Sequence, residues 1–165
     1  MTFSTPLERD GETKTGPLRA PVQMLAEQSY DDHLSVHDAA TAGSLGLSGA
    51  PIEGPTHFSQ FDPIAVELWG QQWFETGCIS SHFSTMVVEG QQVQAHATRT
   101  TATSASISAV RDDNARVLTG TISIATHPQT ALEERLARRR DPGDLFIVDQ
   151  LTEGMVSSAP SETMM

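Results

Sequence analysis

The sequence predicts an α+β domain in which an antiparallel sheet wraps round one apolar helix. Two observations predict it. From Gly54 onward, His57, Phe58, Phe61, Ile64, Ala65, Leu68 and Gln72 recur at helical spacing with mostly apolar character. Four strand-like runs then follow, Ile79 to Val88, Gln91 to Arg99, Ser104 to Val110 and Arg116 to Ala125, each bounded by turn residues. A helix followed by a meander builds a sheet that covers the helix.

Each element has its own justification. Residues 1–16 are polar, carry Pro and Gly without a period, and read as a flexible tail. A single domain over 17–150 is expected after it, and 151–165 read as a second flexible tail. Val22, Met24 and Ala26 alternate loosely with polar neighbours, which suggests a first strand. Asp38 precedes the Ala-rich run AATAGSLG, as a helix cap would, and Gly43, Gly46 and Gly49 limit that helix.

Pro55 suits the first turn of the apolar helix, where its missing N–H costs nothing. Pro63 does not suit an unbroken helix, so the chain either kinks near Ser59 to Pro63 or restarts at Asp62. Glu89-Gly90 and Asp112-Asp113-Asn114 supply the turns between strands. Thr130 and Glu133 form a capping box that opens a last helix, with Leu132 and Leu136 facing inward. Leu145 to Val148 reads as an edge strand.

Composition narrows the function classes. With 165 residues, one core is enough. Twenty-one acidic residues against 10 Lys and Arg leave a net charge of −11, which argues against nucleic-acid binding. The basic run Arg138 to Arg140 ends a helical pattern, where cations favour the dipole. Cys78 is the one cysteine, so neither a disulfide nor a zinc finger can be assembled within the chain. No signal-peptide pattern opens the sequence and no run approaches the ~20 apolar residues of a membrane span, so a cytoplasmic protein without a membrane partner is expected.

Chemistry concentrates between Asp32 and His57, where three histidines and three carboxylates precede the helix entry. Most of these residues have a plain structural reading beside a chemical one. Asp38 fits a helix cap, His37 can bond a backbone carbonyl, and Asp32 beside Asp31 fits a solvated turn. Glu53, between Ile52 and Gly54 at the mouth of the apolar helix, fits a desolvated base. His57 sits beside Phe58 in the first turn, as a core or a catalytic imidazole would. Trp69 and Trp73 share a helix face and suit core or interface. His82, His96 and His127 show no convergence that would bind a metal, and none is expected.

The order of elements and the segments HFSTMVVEGQQVQA and VLTGTISIA resemble the hotdog fold, and within it the MaoC-like acyl-thioester hydratases, over about Asp32 to Ala125. Asp32 and His37 keep the family's five-residue separation of aspartate and histidine. The Asn-Pro between them appears as Leu34-Ser35, a second aspartate is replaced by Ala39, and the His-Gly before the helix appears as Glu53-Gly54. The resemblance implies an enoyl-thioester hydratase or dehydratase acting on coenzyme A or carrier-protein thioesters, without a cofactor, as a homodimer.

Hydration of that kind needs a base for water, an acid for the α-carbon and a donor for the carbonyl oxygen. His37, Asp32, Glu53 and His57 are the catalytic candidates, and Asp38, Gly54 and Thr56 the substrate-binding ones. The carbonyl donor would be an N–H of Gly54, Thr56 or His57. Thioester hydrolysis with Glu53, Asp62 or Glu67 as base or nucleophile is one alternative. A non-catalytic ligand-binding or scaffold protein is another.

Overall fold

A computed structural model of the chain describes residues 3–24, 34–125, 130–141, 143 and 153–156. The elements are β1 (Glu8–Asp10), β2 (Thr13–Thr15), α1 (Ala39–Ser44), α2 (Gly54–Phe58), α3 (Asp62–Trp69), α4 (Gln72–Thr76), β3 (Gly77–Phe83), β4 (Val93–Arg99), β5 (Ser104–Arg111), β6 (Arg116–Ile124) and α5 (Ala131–Ala137). The strands form one antiparallel sheet in the order β1-β2-β4-β5-β6-β3. Strands from before and after the helical segment therefore lie toward opposite edges, and the core between them belongs to the helix. This is the expected α+β architecture, one antiparallel sheet packed with the helical segment in a shared core.

Period-2 patterning explains how the sheet meets the helix. In β4, Val93, Ala95 and Ala97 are buried while Gln94 and His96 between them are less so, and Ala105, Ile107 and Ala109 repeat the pattern in β5. The small alanines leave room for α3, whose Ile64 and Ala65 are fully buried in the same cluster as Phe61, Leu118 and Ile122. Trp73 of α4 joins that core, and Trp69 stacks on it with ring centroids 6.4 Å apart.

The proline break is a restart: α2 ends at Phe58 and α3 begins at Asp62 with Pro63 in its first turn. Asp62 does not cap its helix; its carboxylate accepts the indole N–H of Trp73 at 2.9 Å. Asp38 does cap α1, accepting from Thr41 N at 2.8 Å. The capping box of Thr130 and Glu133 forms as expected.

Three expectations are corrected. Residues 3–16 are not an unpacked tail: β1 and β2 form a hairpin through Gly11 at φ +54°, and β2 pairs with β4, Thr13 opposite Thr98. These strands are held by backbone bonds and a 2.9 Å contact between the hydroxyls of Thr13 and Thr98, so their polar composition carries no apolar signal. Residues 22–24 form no strand; Val22 and Met24 are exposed and Gln23 between them is buried, the reverse of the expected alternation. Leu132 and Leu136 are exposed, because α5 docks through buried Ala131, whose N–H donates to Ser80 Oγ at 2.9 Å. Asp31, Asp32, His127 and the expected strand at Leu145 to Val148 lie outside the described residues.

Candidate functional site

Four polar residues near the helix entry are buried: Gln23 at 8%, Glu53 at 7%, Thr56 at 9% and His57 at 2% exposure. Burying such groups is costly unless each is satisfied by partners, so their concentration marks the region out from the alanine-lined core. Local sequence produces it. Glu53 ends an extended segment fixed by the Ile52 N–H to Val87 O bond at 2.8 Å, and the Gly54-Pro55 entry then turns Thr56 and His57 inward.

The carboxylate of Glu53 is held from two directions. Oε1 accepts from the Met24 N–H at 3.0 Å, and Oε2 accepts from the Thr56 hydroxyl at 3.1 Å. The Thr56 N–H donates to the Glu53 carbonyl at 3.1 Å, so it is spent within the turn and does not serve as the expected carbonyl donor. Thr56 supports Glu53 with both of its donors. The Gly54 N–H, ahead of the first intrahelical bond, remains the backbone donor at this entry.

Burial pushes the pKa of His57 below its ordinary 6.5, with the charge of Glu53 pulling it back up. Its imidazole is therefore neutral near pH 7. The Nδ1 atom lies 3.4 Å from Gln60 Nε2, and the ring packs on Phe83 with centroids 5.9 Å apart. Beside it opens a cavity of about 370 Å³ lined by Ile52, Gly54, His57, Phe83 and the segment Ser84 to Val87. Its lining is mixed: Ile52, Phe83, Met86 and Val87 are apolar, and His57, Ser84 and Thr85 are polar.

His37 is tied to the same segment from behind. Its Nδ1 lies 2.7 Å from the Pro51 carbonyl, and an acceptor carbonyl requires the proton on Nδ1, leaving Nε2 as the basic atom. Gln23 Nε2 donates to that same carbonyl at 2.6 Å. The structure thus brings Gly54 and His57 into the cavity lining, holds Glu53 and Thr56 bonded to each other at the same helix entry but outside that lining, and ties His37 to the segment through the Pro51 carbonyl. Asp38 is not part of this group: it is exposed and its carboxylate caps α1. Asp32 falls outside the described residues.

Gln23, Gln60 and Phe83 are absent from the sequence-based set. Gln23 reaches Pro51 across 28 positions, and no local pattern announces such a contact. Phe83 carries a signal, since it alternates with Ile79 and Ser81 on one strand face that meets the helix. Among the described residues, no group of three or more His, Cys, Asp or Glu is placed to hold a metal ion. Nor is any of their helices long and apolar enough to cross a membrane.

No family model matches the chain, and no curated protein matches it. A solved structure similar to it is an (R)-hydratase from A. caviae involved in PHA biosynthesis, 21% identical, covering 56% of this chain and 77% of that one with a TM-score of 0.38.

Proposed function

We propose that this chain acts on acyl thioesters as an enoyl-thioester hydratase or dehydratase, with its site at the entry of α2. The observation that carries the reading is the burial of Glu53 and His57 at one helix entry, where His57 and Gly54 line a cavity. Ionisable groups held in a cleft by burial and a specific charge partner are suited to proton transfer.

In the hydration direction, His37 Nε2 takes a proton from water as the water oxygen bonds to the β-carbon. Electron density moves onto the thioester oxygen, where the Gly54 N–H and the neutral His57 imidazole favour it. The α-carbon then receives a proton from the His37 imidazolium so formed, directly or by way of Asp32, which stands with His37 in the sequence, while the Glu53 carboxylate holds its charge beside His57. Dehydration runs the same transfers in reverse. No cofactor enters this scheme, and coenzyme A or a carrier protein supplies the thiol.

Hydrolysis is less well supported. Asp62 is engaged by Trp73, and Glu67 accepts from Arg9 at 2.7 Å, so Glu53 is left as its one candidate carboxylate among those three. A panel of enoyl thioesters tests the proposal: loss of enoyl absorbance without release of free thiol is expected, and His37→Ala should slow it by roughly 10²-fold or more. Thiol release in place of hydration would favour the hydrolase. Binding of thioesters with no turnover would leave a ligand-binding protein.

We further propose that a second copy pairs with this one along β3. That strand pairs with β6 on one side, and among the described residues no strand covers its other edge, near which Phe83 and Met86 are part exposed. A cytoplasmic location and the absence of nucleic-acid partners complete the reading.

A further inference from the structure

We propose that Phe83 sets the length of acyl chain the cavity accepts, limiting it to short chains. The inference rests on the acyl-thioester reading and deepens it. Phe83 ends β3, opposite Leu118 of β6, and the pairing fixes its backbone firmly at the edge of the cleft. Its ring lies against the α2 side of that cleft. It packs on His57 and on Phe58, each with centroids 5.9 Å away, and it lines the cavity beside Gly54.

The contact with Gly54 is close. A Cβ built on Gly54 would lie 3.4 Å from both Cε2 and Cζ of Phe83, so the ring rests against the helix entry itself. Yet Phe83 remains 38% exposed, which places it at the rim and not within the core. Ile52 and Val87, joined by their backbone bond, also line it and are buried at 6% and 2% exposure. An acyl chain lying past His57 would therefore meet buried aliphatic residues held by backbone bonds and one aromatic ring at the rim.

The volume agrees with a small occupant. About 370 Å³ falls at the lower end of the roughly 300–1,000 Å³ typical of ligand cavities. Each methylene that finds cover contributes about fourfold in affinity, and methylenes beyond the ring gain little. Phe83 is thus the side chain whose size decides where that gain stops.

Titration of wild type, Phe83→Ala and Phe83→Trp with straight-chain saturated acyl-coenzyme A thioesters, from butanoyl to dodecanoyl, tests this without relying on turnover. Wild-type affinity should rise by about fourfold per methylene and level off at a short chain. The break should move to longer chains in Phe83→Ala and to shorter ones in Phe83→Trp, and Phe83→Leu supplies an intermediate should the alanine variant fail to fold. The same break in every folded variant would overturn the role of Phe83 while leaving the acyl-thioester reading in place. Failure of wild type to bind any of these thioesters would overturn that reading and this inference with it.

Discussion

His57 links stability to pH in a direction fixed by its burial. The folded imidazole resists protonation, whereas the unfolded one titrates near 6.5, so below that value the unfolded chain binds more protons. His96, also lowered by burial, adds to the same trend. The contribution is complete above about pH 6.5 and is lost as pH falls toward and through the folded pKa. Urea midpoints should decline from pH 7.5 to 5.5, and His57→Gln should flatten that decline; an unchanged slope would count against a buried neutral imidazole. At this scale the sequence was informative where an ionisable residue stood among apolar ones, as with Glu53 beside Ile52 and His57 beside Phe58. It was silent where the partner lay far along the chain: Gln23 meets Pro51, and Met24 meets Glu53, across 28 and 29 positions.

Elements were legible to the degree that side chains, and not backbone alone, hold them. β4 and β5 fall within a few residues of their expected bounds because alternating burial wrote a period of two into the sequence, and β6 does so on its apolar ends although its burial runs in blocks. β1 and β2 bury no core residue and were missed for that reason. The meeting of β3 and β6 has one sequence requirement of its own. A Cβ on Gly120 would lie 1.9 Å from the Ser80 carbonyl oxygen and 2.7 Å from Ser81 Cα, both backbone atoms that cannot step aside. Gly120→Ala should therefore separate the strands, costing several kcal/mol or preventing folding, as thermal melts would reveal. Thr130→Ala, which removes the capping hydroxyl of α5, should cost only about 1 kcal/mol and leave the sheet intact.

The whole molecule is organised around one helical segment that supplies the core with α3 and the site with α2. A sheet ending in β3 presents an uncovered edge among the described residues, and pairing of two copies there predicts a species of twice 17.8 kDa. Sedimentation at micromolar concentration should show it, and a species of 17.8 kDa alone would contradict the dimer. The cleft beside α2 depends on three stretches, 23–24, 51–57 and 83–87, that meet only once the sheet has formed. For that reason the central claim, that Glu53 and His57 work as a pair on a thioester, is tested most directly by Glu53→Gln. This change keeps the side-chain volume and the acceptor facing Met24 while removing the charge beside His57. Hydration of a short enoyl thioester should fall by roughly 10²-fold or more with the circular dichroism of the fold unchanged. Wild-type and Glu53→Gln proteins of equal activity would contradict the account.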